Sequence, residues 1–305
     1  MKRAGLRNLA ASVNQRLHNE AKKRGEDFQL VLTRFAIERL LYRISRSPHA
    51  DQFILKGALL FQLWGGGPYR ATRDLDLLGR GANDIPRLAQ IFRDLCAVKV
   101  EDDGIVFLPD TVRGEDIRQN QEYRGVRITL QARVAQARPD IQVDIGFGDV
   151  VTPSPQTVDF PTILDLPAPR LKAYPRETVI AEKFQAMVML GVANSRMRDF
   201  YDVWILAKRF PFEGKVLGKA IRETFTRRKT PLPKTTPVAF TPEFYNHADK
   251  RKLWDAFLAT RGAGEETGGL AEVAVAITEF LLPPTLAASA GKLFDLIWPP
   301  SGPWR

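Results

Sequence analysis

Three short runs in this chain carry side chains that could do chemistry together. The first is Arg73-Asp74-Leu75-Asp76-Leu77. In a strand, side chains alternate faces, so Asp74 and Asp76 point one way and Leu75 and Leu77 the other. Two neighbouring carboxylates repel unless a cation compensates them. Arg70 and Arg73 can do so on a surface, and a divalent metal can do so in a site. The second run is Gln142-Val143-Asp144-Ile145-Gly146. A lone carboxylate between apolar neighbours needs a partner. If this strand lies beside the first, three carboxylates converge, and such a trio can hold the two divalent metals of a phosphoryl-transfer site. An arginine such as Arg127 or Arg133 would serve Asp144 equally well as a structural partner.

The third run lies further along. Over 177–190 the helical spacing puts Val179, Lys183 and Met187 in one row beside Ile180, Phe184 and Val188. Lys183 therefore falls within an apolar stripe. Such a lysine snorkels to water, pairs with a carboxylate such as Glu182, or meets an anionic ligand. Asp199 and Asp202 follow about one helical turn apart in Arg198-Asp199-Phe200-Tyr201-Asp202-Val203-Trp204. Asp202 either pairs with Arg198 or orients Lys183, and either aspartate could act as a base for a hydroxyl. Other mechanisms lack parts. His18, His49 and His247 have no metal-ligand spacing, and Gly65-Gly66-Gly67 lacks the Gly-Lys-Ser/Thr of a P-loop.

The elements that must position these residues can be read in order. Residues 28–44 repeat apolar side chains at helical spacing, with Lys22, Lys23, Arg24, Arg34, Arg39, Arg43 and Arg46 around them. This predicts an amphipathic helix with a solvated basic face or a phosphate-binding flank. Ser12 is a candidate cap for an earlier helix. Residues 54–64 read as a buried helix, 65–68 as a turn, 73–78 as a strand and 85–98 as a helix. Strands are expected over 104–108, 126–134 and 141–147, the second with clean alternation. The proline-rich stretch 151–175 reads as an extended connection and a domain boundary. Helices are expected over 177–190, 198–210, 216–225, 245–260 and 270–282, and the Pro299–Arg305 end as a frayed tail. The domains so drawn are N-terminal helices (1–48), an α/β core with a small mixed sheet (49–165) and a C-terminal helical domain (166–305).

Composition excludes some classes. The 305 residues are 44% hydrophobic and 26% charged, ordinary for a globular protein. Cys96 is the only cysteine, so neither a disulfide nor a cysteine metal cage forms within the chain. The N-terminus lacks the apolar core of a secretory signal. No run reads as the roughly 20 apolar residues of a membrane span, which points to a cytoplasmic protein. The net charge of +10 favours a polyanionic partner such as RNA, DNA or a nucleotide.

Taken in order, Leu55-Lys56-Gly57, Arg70-Ala71-Thr72-Arg73-Asp74-Leu75-Asp76-Leu77, Val143-Asp144-Ile145-Gly146-Phe147-Gly148, Glu177–Ala186 and Arg198-Asp199-Phe200-Tyr201-Asp202-Val203 resemble the AbiEii/AbiGii toxin family, MenT-type toxins included. The resemblance spans roughly residues 28–210. It implies a DNA polymerase β-like nucleotidyltransferase fold. It implies that Asp74 and Asp76 hold Mg²⁺ and the NTP, and that Lys56 and Gly57 with their helix lie against the triphosphate. Thr72 and Arg73 would support that loop and the phosphates. Lys183 would contact the nucleotide phosphates, and Asp202 or Asp199 would complete the site. Asp144 resembles the third metal carboxylate. The family usually has Gly-Gly or Gly-Ser where this chain has Gly57-Ala58, so a serine hydroxyl is missing here, though backbone N–H groups can still bind phosphate. The function implied is that of a toxin in a type IV, abortive-infection toxin–antitoxin pair. It would transfer a nucleotide from an NTP to RNA, at the 3′ end of tRNA, and block translation, with a cognate antitoxin as partner. Two alternatives stand beside it: a nucleotidyltransferase that modifies a small molecule or a protein, and a basic nucleic-acid-binding protein without catalysis.

Overall fold

The computed structural model describes residues 2–65, 73–118, 124–260 and 267–305, with backbone alone for 2–8, 118 and 124. Two compact units emerge from the pattern of contacts: residues 1–148 with 156–173, and residues 149–155 with 174–305.

The first unit begins with α1 (Lys2–Arg24) and α2 (Phe28–Ser45). Ser12 lies inside α1 rather than at its cap. Asp27 caps α2 by accepting from the Leu30 amide at 3.0 Å. Then come β1 (Phe53–Lys56), a 3₁₀ turn at Gly57–Leu59, α3 (Leu60–Gly65), β2 (Asp74–Gly79) and α4 (Ile85–Cys96). The strands β3 (Val106–Arg118), β4 (Arg124–Arg133), β5 (Asp140–Phe147), β6 (Gln156–Asp159) and β7 (Arg170–Ala173) complete it.

These seven strands form one mixed sheet in the order β3-β4-β5-β2-β1-β7-β6. The β2/β5 and β1/β7 pairs are parallel and the rest antiparallel. Alternation sets the two faces. Leu75, Leu77, Val126, Ile128, Val143 and Ile145 are buried on one face, which α2 and α4 cover. The polar residues between them take the other face.

Two expectations fail here for clear reasons. The run 54–64 is not one helix. Its first residues pair as β1 between β2 and β7, because an apolar run without polar interruption fits a buried strand as well as a buried helix. The basic residues of α2 do not form a solvated face or a phosphate flank either. Arg34, Arg39 and Arg43 are buried, and each is answered by protein groups. Arg43 grips Asp103 with two bonds at 2.7 and 3.0 Å. Arg34 bonds Glu26. Arg39 pairs with Glu38 at 2.8 Å and donates to the Pro167 carbonyl at 2.8 Å.

The second unit is helical. It holds α5 (Arg176–Leu190), α6 (Met197–Arg209), β8 (Phe212–Glu213), α7 (Gly214–Arg227), α8 (Pro242–Tyr245), α9 (Ala248–Ala259), α10 (Leu270–Ser289) and β9 (Ile297–Trp298). Phe184, Phe200, Phe225, Phe240 and Phe244 form its aromatic centre. Helix α10 is, by length and composition, apolar enough to cross a membrane, which overturns the expectation that no run reaches that length; the helix expected from the sequence ends at 282. Its Val273, Ile277, Phe280 and Leu281 are buried in this unit against α6 and α7. The chain end is packed rather than frayed. Ile297 and Arg305 exchange two backbone bonds, at 2.8 and 3.0 Å, and Trp304 stacks on Phe280 while donating to its carbonyl.

Candidate active site

On the open face of the sheet, residues in register share a row. Asp76 stands between Lys56 on β1 and Asp144 on β5. Arg127 on β4 follows Asp144, and Glu115 on β3 follows Arg127. Five adjacent strands thus carry Lys56, Asp76, Asp144, Arg127 and Glu115 side by side. The two neighbouring carboxylates sit in the middle, with a cation at each flank. Asp74 lies two residues earlier on the same face, opposite Gln142.

Asp144 is firmly held. Arg127 Nε and Nη2 donate to its two oxygens at 2.8 and 2.9 Å. That bond raises the guanidinium above its ordinary range, and Glu115 and Asp74 add to the field that keeps it charged. The structural partner weighed for Asp144 is therefore present, while Asp144 itself lies beside Asp76.

Gly57 explains how Asp76 fits. Its φ is +74°, and a Cβ there would stand 2.0 Å from Asp76 Oδ2. Only glycine permits both the turn after β1 and the close approach of that carboxylate to the backbone. Ala58 is buried at the start of the same turn. Thr72 lies outside the described residues, as do 66–68 of the turn expected at 65–68, whose first residue, Gly65, ends α3. Arg73 directly precedes β2 and is exposed.

In the second unit Lys183 reaches from α5 to α6. Its Nζ lies 2.7 Å from Asp199 Oδ1 and 2.8 Å from Asp202 Oδ2. Arg196 Nε forms an ion pair with Asp199 Oδ2 at 2.9 Å. Asp199 and Asp202 are almost wholly buried, and the lysine is 16% exposed. Arg196 is the member that sequence reasoning missed, although its i, i+3 spacing to Asp199 was the available signal. Glu182, one alternative for Lys183, turns to Arg228 at 3.2 Å instead. Arg228 also binds Asp149 at 3.0 Å. Burial, and then the charges of Glu182 and Asp149, push the nearby Tyr174 hydroxyl far up, so it stays protonated.

Among the described residues, no group of three or more His, Cys, Asp or Glu side chains is already arranged to hold a metal. Arg127 engages both oxygens of Asp144. Asp74 and Asp76 remain two hard oxygen donors on one face, a set that suits Mg²⁺.

The sheet is thus covered on one face by helices and carries paired carboxylates on the other. The chain belongs to the family described as nucleotidyl transferase AbiEii toxin, type IV toxin–antitoxin system, whose model matches residues 39–279. The protein is therefore a nucleotidyltransferase, and its family implies an NTP substrate and an antitoxin partner. A crystal structure of a candidate nucleotidyltransferase from H. pylori is 13% identical, with a TM-score of 0.47 over 88% of this chain and 100% of that one. JHP933 from Helicobacter pylori is 14% identical, with a TM-score of 0.45 over 87% of this chain and 91% of that one. No curated protein matches the sequence.

Proposed function

We propose that this protein is a Mg²⁺-dependent toxin that transfers a nucleotide from an NTP to the 3′ end of tRNA and so blocks translation in the cytoplasm. The observation that carries the reading is the row on the open face of the sheet, where Asp76 lies beside Asp144 with Asp74 on the same face. Bound Mg²⁺ would neutralise phosphate charge during the transfer. Asp74 and Asp76 are its assigned ligands, and Asp144 the third carboxylate once Arg127 yields one of its oxygens. Lys56 and Gly57 are assigned to the triphosphate: the lysine supplies charge, and the glycine lets a phosphate approach the backbone. Arg73 and Thr72 are assigned to the same loop.

Lys183 is assigned to the nucleotide phosphates. Asp199 and Asp202 hold it in place by ion pairs, and Arg196 pairs with Asp199. An arriving phosphate competes with Asp199 and Asp202 for the lysine. Domain roles follow the same reading: N-terminal helices over 1–48, catalytic core over 49–165 and helical domain over 166–305. The net charge of +10 supports a large polyanionic acceptor over a small molecule.

The test incubates the protein with total tRNA, Mg²⁺ and each labelled NTP in turn. Label on tRNA that vanishes in Asp74→Ala and in Lys183→Ala supports the reading and names the nucleotide. Label on a protein or small molecule alone rejects the tRNA acceptor. RNA binding with no transfer to any acceptor rejects catalysis on RNA.

A further inference from the structure

Beside Asp74, the open face of the sheet continues as a groove of about 550 Å³ within the first unit. That volume suits a nucleotide-sized ligand. Its floor is a second in-register row: Asp74 on β2, Gln142 on β5, Thr129 on β4 and Arg113 on β3. One step further, Gln131 Nε2 donates a hydrogen bond to Asp140 Oδ1 at 2.8 Å.

The rim is a built feature. The β3/β4 register breaks between Leu108 and Arg113, so the intervening residues arch away from regular pairing. Thr111 Oγ1 braces the arch, donating to the Leu108 carbonyl at 2.6 Å and accepting from the Gln131 amide at 2.9 Å. Arg113 curls against the same arch, bonding the Asp110 and Val112 carbonyls at 2.7 and 2.9 Å. Bulges of this kind re-aim side chains next to sites.

We infer that this groove seats the terminal nucleotide of the RNA acceptor, with Gln131, Thr129 and Gln142 reading base and ribose and Arg113 with Arg73 holding the phosphate. The inference rests on the proposed reading of the protein as a nucleotidyltransferase acting on RNA.

Three observations favour this occupant. First, the groove lies on the β5 flank of β2, whereas Lys56 and Gly57 lie on the β1 flank. In-line displacement places the attacking oxygen and the departing pyrophosphate on opposite sides of the reacting phosphorus. With the triphosphate assigned to Lys56 and Gly57, the attacking hydroxyl arrives from the groove. Second, the lining mixes cations, amides, the hydroxyls of Thr111 and Thr129 and the carboxylates of Asp74, Asp110 and Asp140. Donors and acceptors together fit a nucleoside unit, whereas a bare phosphate would call for donors only. Third, among the described residues the lining holds no aromatic ring, so these residues offer hydrogen bonds rather than base stacking. Gln142 ties this floor to the carboxylates, its amide lying 3.4 Å from Asp144 Oδ2.

The test measures transfer from labelled NTP to tRNA, together with tRNA binding without NTP, for wild type, Arg113→Ala, Gln131→Ala and Gln142→Ala. Thermal unfolding confirms that each variant is folded. The expected result is a rise of about tenfold in the KM and Kd for tRNA, with the KM for NTP within about twofold of wild type. Unchanged tRNA constants in the folded variants overturn the inference. So does a rise in the NTP KM alone, which would give the groove to the base of the incoming nucleotide. Wild-type protein that labels no RNA rejects the RNA reading itself. Wild type and variants that label RNA equally well reject the groove alone.

Discussion

Gly57 is the residue whose replacement has the most predictable consequence. An alanine there meets both a left-handed backbone and the Asp76 carboxylate 2.0 Å away. The backbone alone costs about 1–2 kcal/mol. Since the collision falls on Asp76, Gly57→Ala is expected to reduce transfer about 100-fold or more with a modest fall in Tm. Near-normal transfer would separate Asp76 from the chemistry. Lys183 separates differently, because it is both a proposed phosphate ligand and the counter-ion of two buried carboxylates. Lys183→Met leaves those charges facing each other and should cost about 3–5 kcal/mol in denaturant unfolding. Adding Asp202→Asn should regain more than half of that loss while transfer stays absent. A single variant as stable as wild type would show that the cluster contributes nothing to folding.

At the scale of elements, α2 is the clearest case of charge turned inward. Glu38 accepts from the Ile163 amide at 2.7 Å and pairs with Arg39, so it helps fix the 160–169 segment to the helix. Burial raises its carboxyl from 4.5 to about 7, and Arg39 and the Ile163 amide offset this only in part. Between those pH values the folded chain keeps a proton that the unfolded chain has released. Stability attached to Glu38 is therefore full below about pH 4.5 and declines as pH rises through 7, by at most about 3 kcal/mol. Glu38→Gln keeps an acceptor for Ile163 without the charge, and should flatten the Tm profile between pH 4.5 and 7. A profile identical to wild type would remove Glu38 as its source.

At the scale of the molecule, the buried arginines of α2 already have protein partners, so the basic excess available to a polyanion comes from other residues. Binding of tRNA should then weaken by at least about tenfold between 50 and 200 mM salt, as expected when several phosphates are neutralised. Filter binding or fluorescence across that range measures it, and a flat response would mean that the +10 charge is not used for RNA.

The site was partly legible because strand periodicity is local. Alternation in 74–78 and 126–147 puts Asp74, Asp76 and Asp144 on polar faces without any knowledge of the fold. The helix 54–64 was misread because an unbroken apolar run has no period to read. The strands β6 and β7 were hidden by the prolines around them, and the packed tail by Trp298 and Trp304, whose partners lie on distant helices.

The sequence by itself determined the carboxylate faces, the helical row that carries Lys183 and the family to which the chain belongs, since all three depend on local spacing and motif order. Only the tertiary structure decided that Asp144 is answered by Arg127, that Lys183 is shared by Asp199 and Asp202, and that Asp76 fits against a side-chain-free Gly57. Each of these depends on register or packing between segments far apart in the chain, and no local pattern encodes that distance.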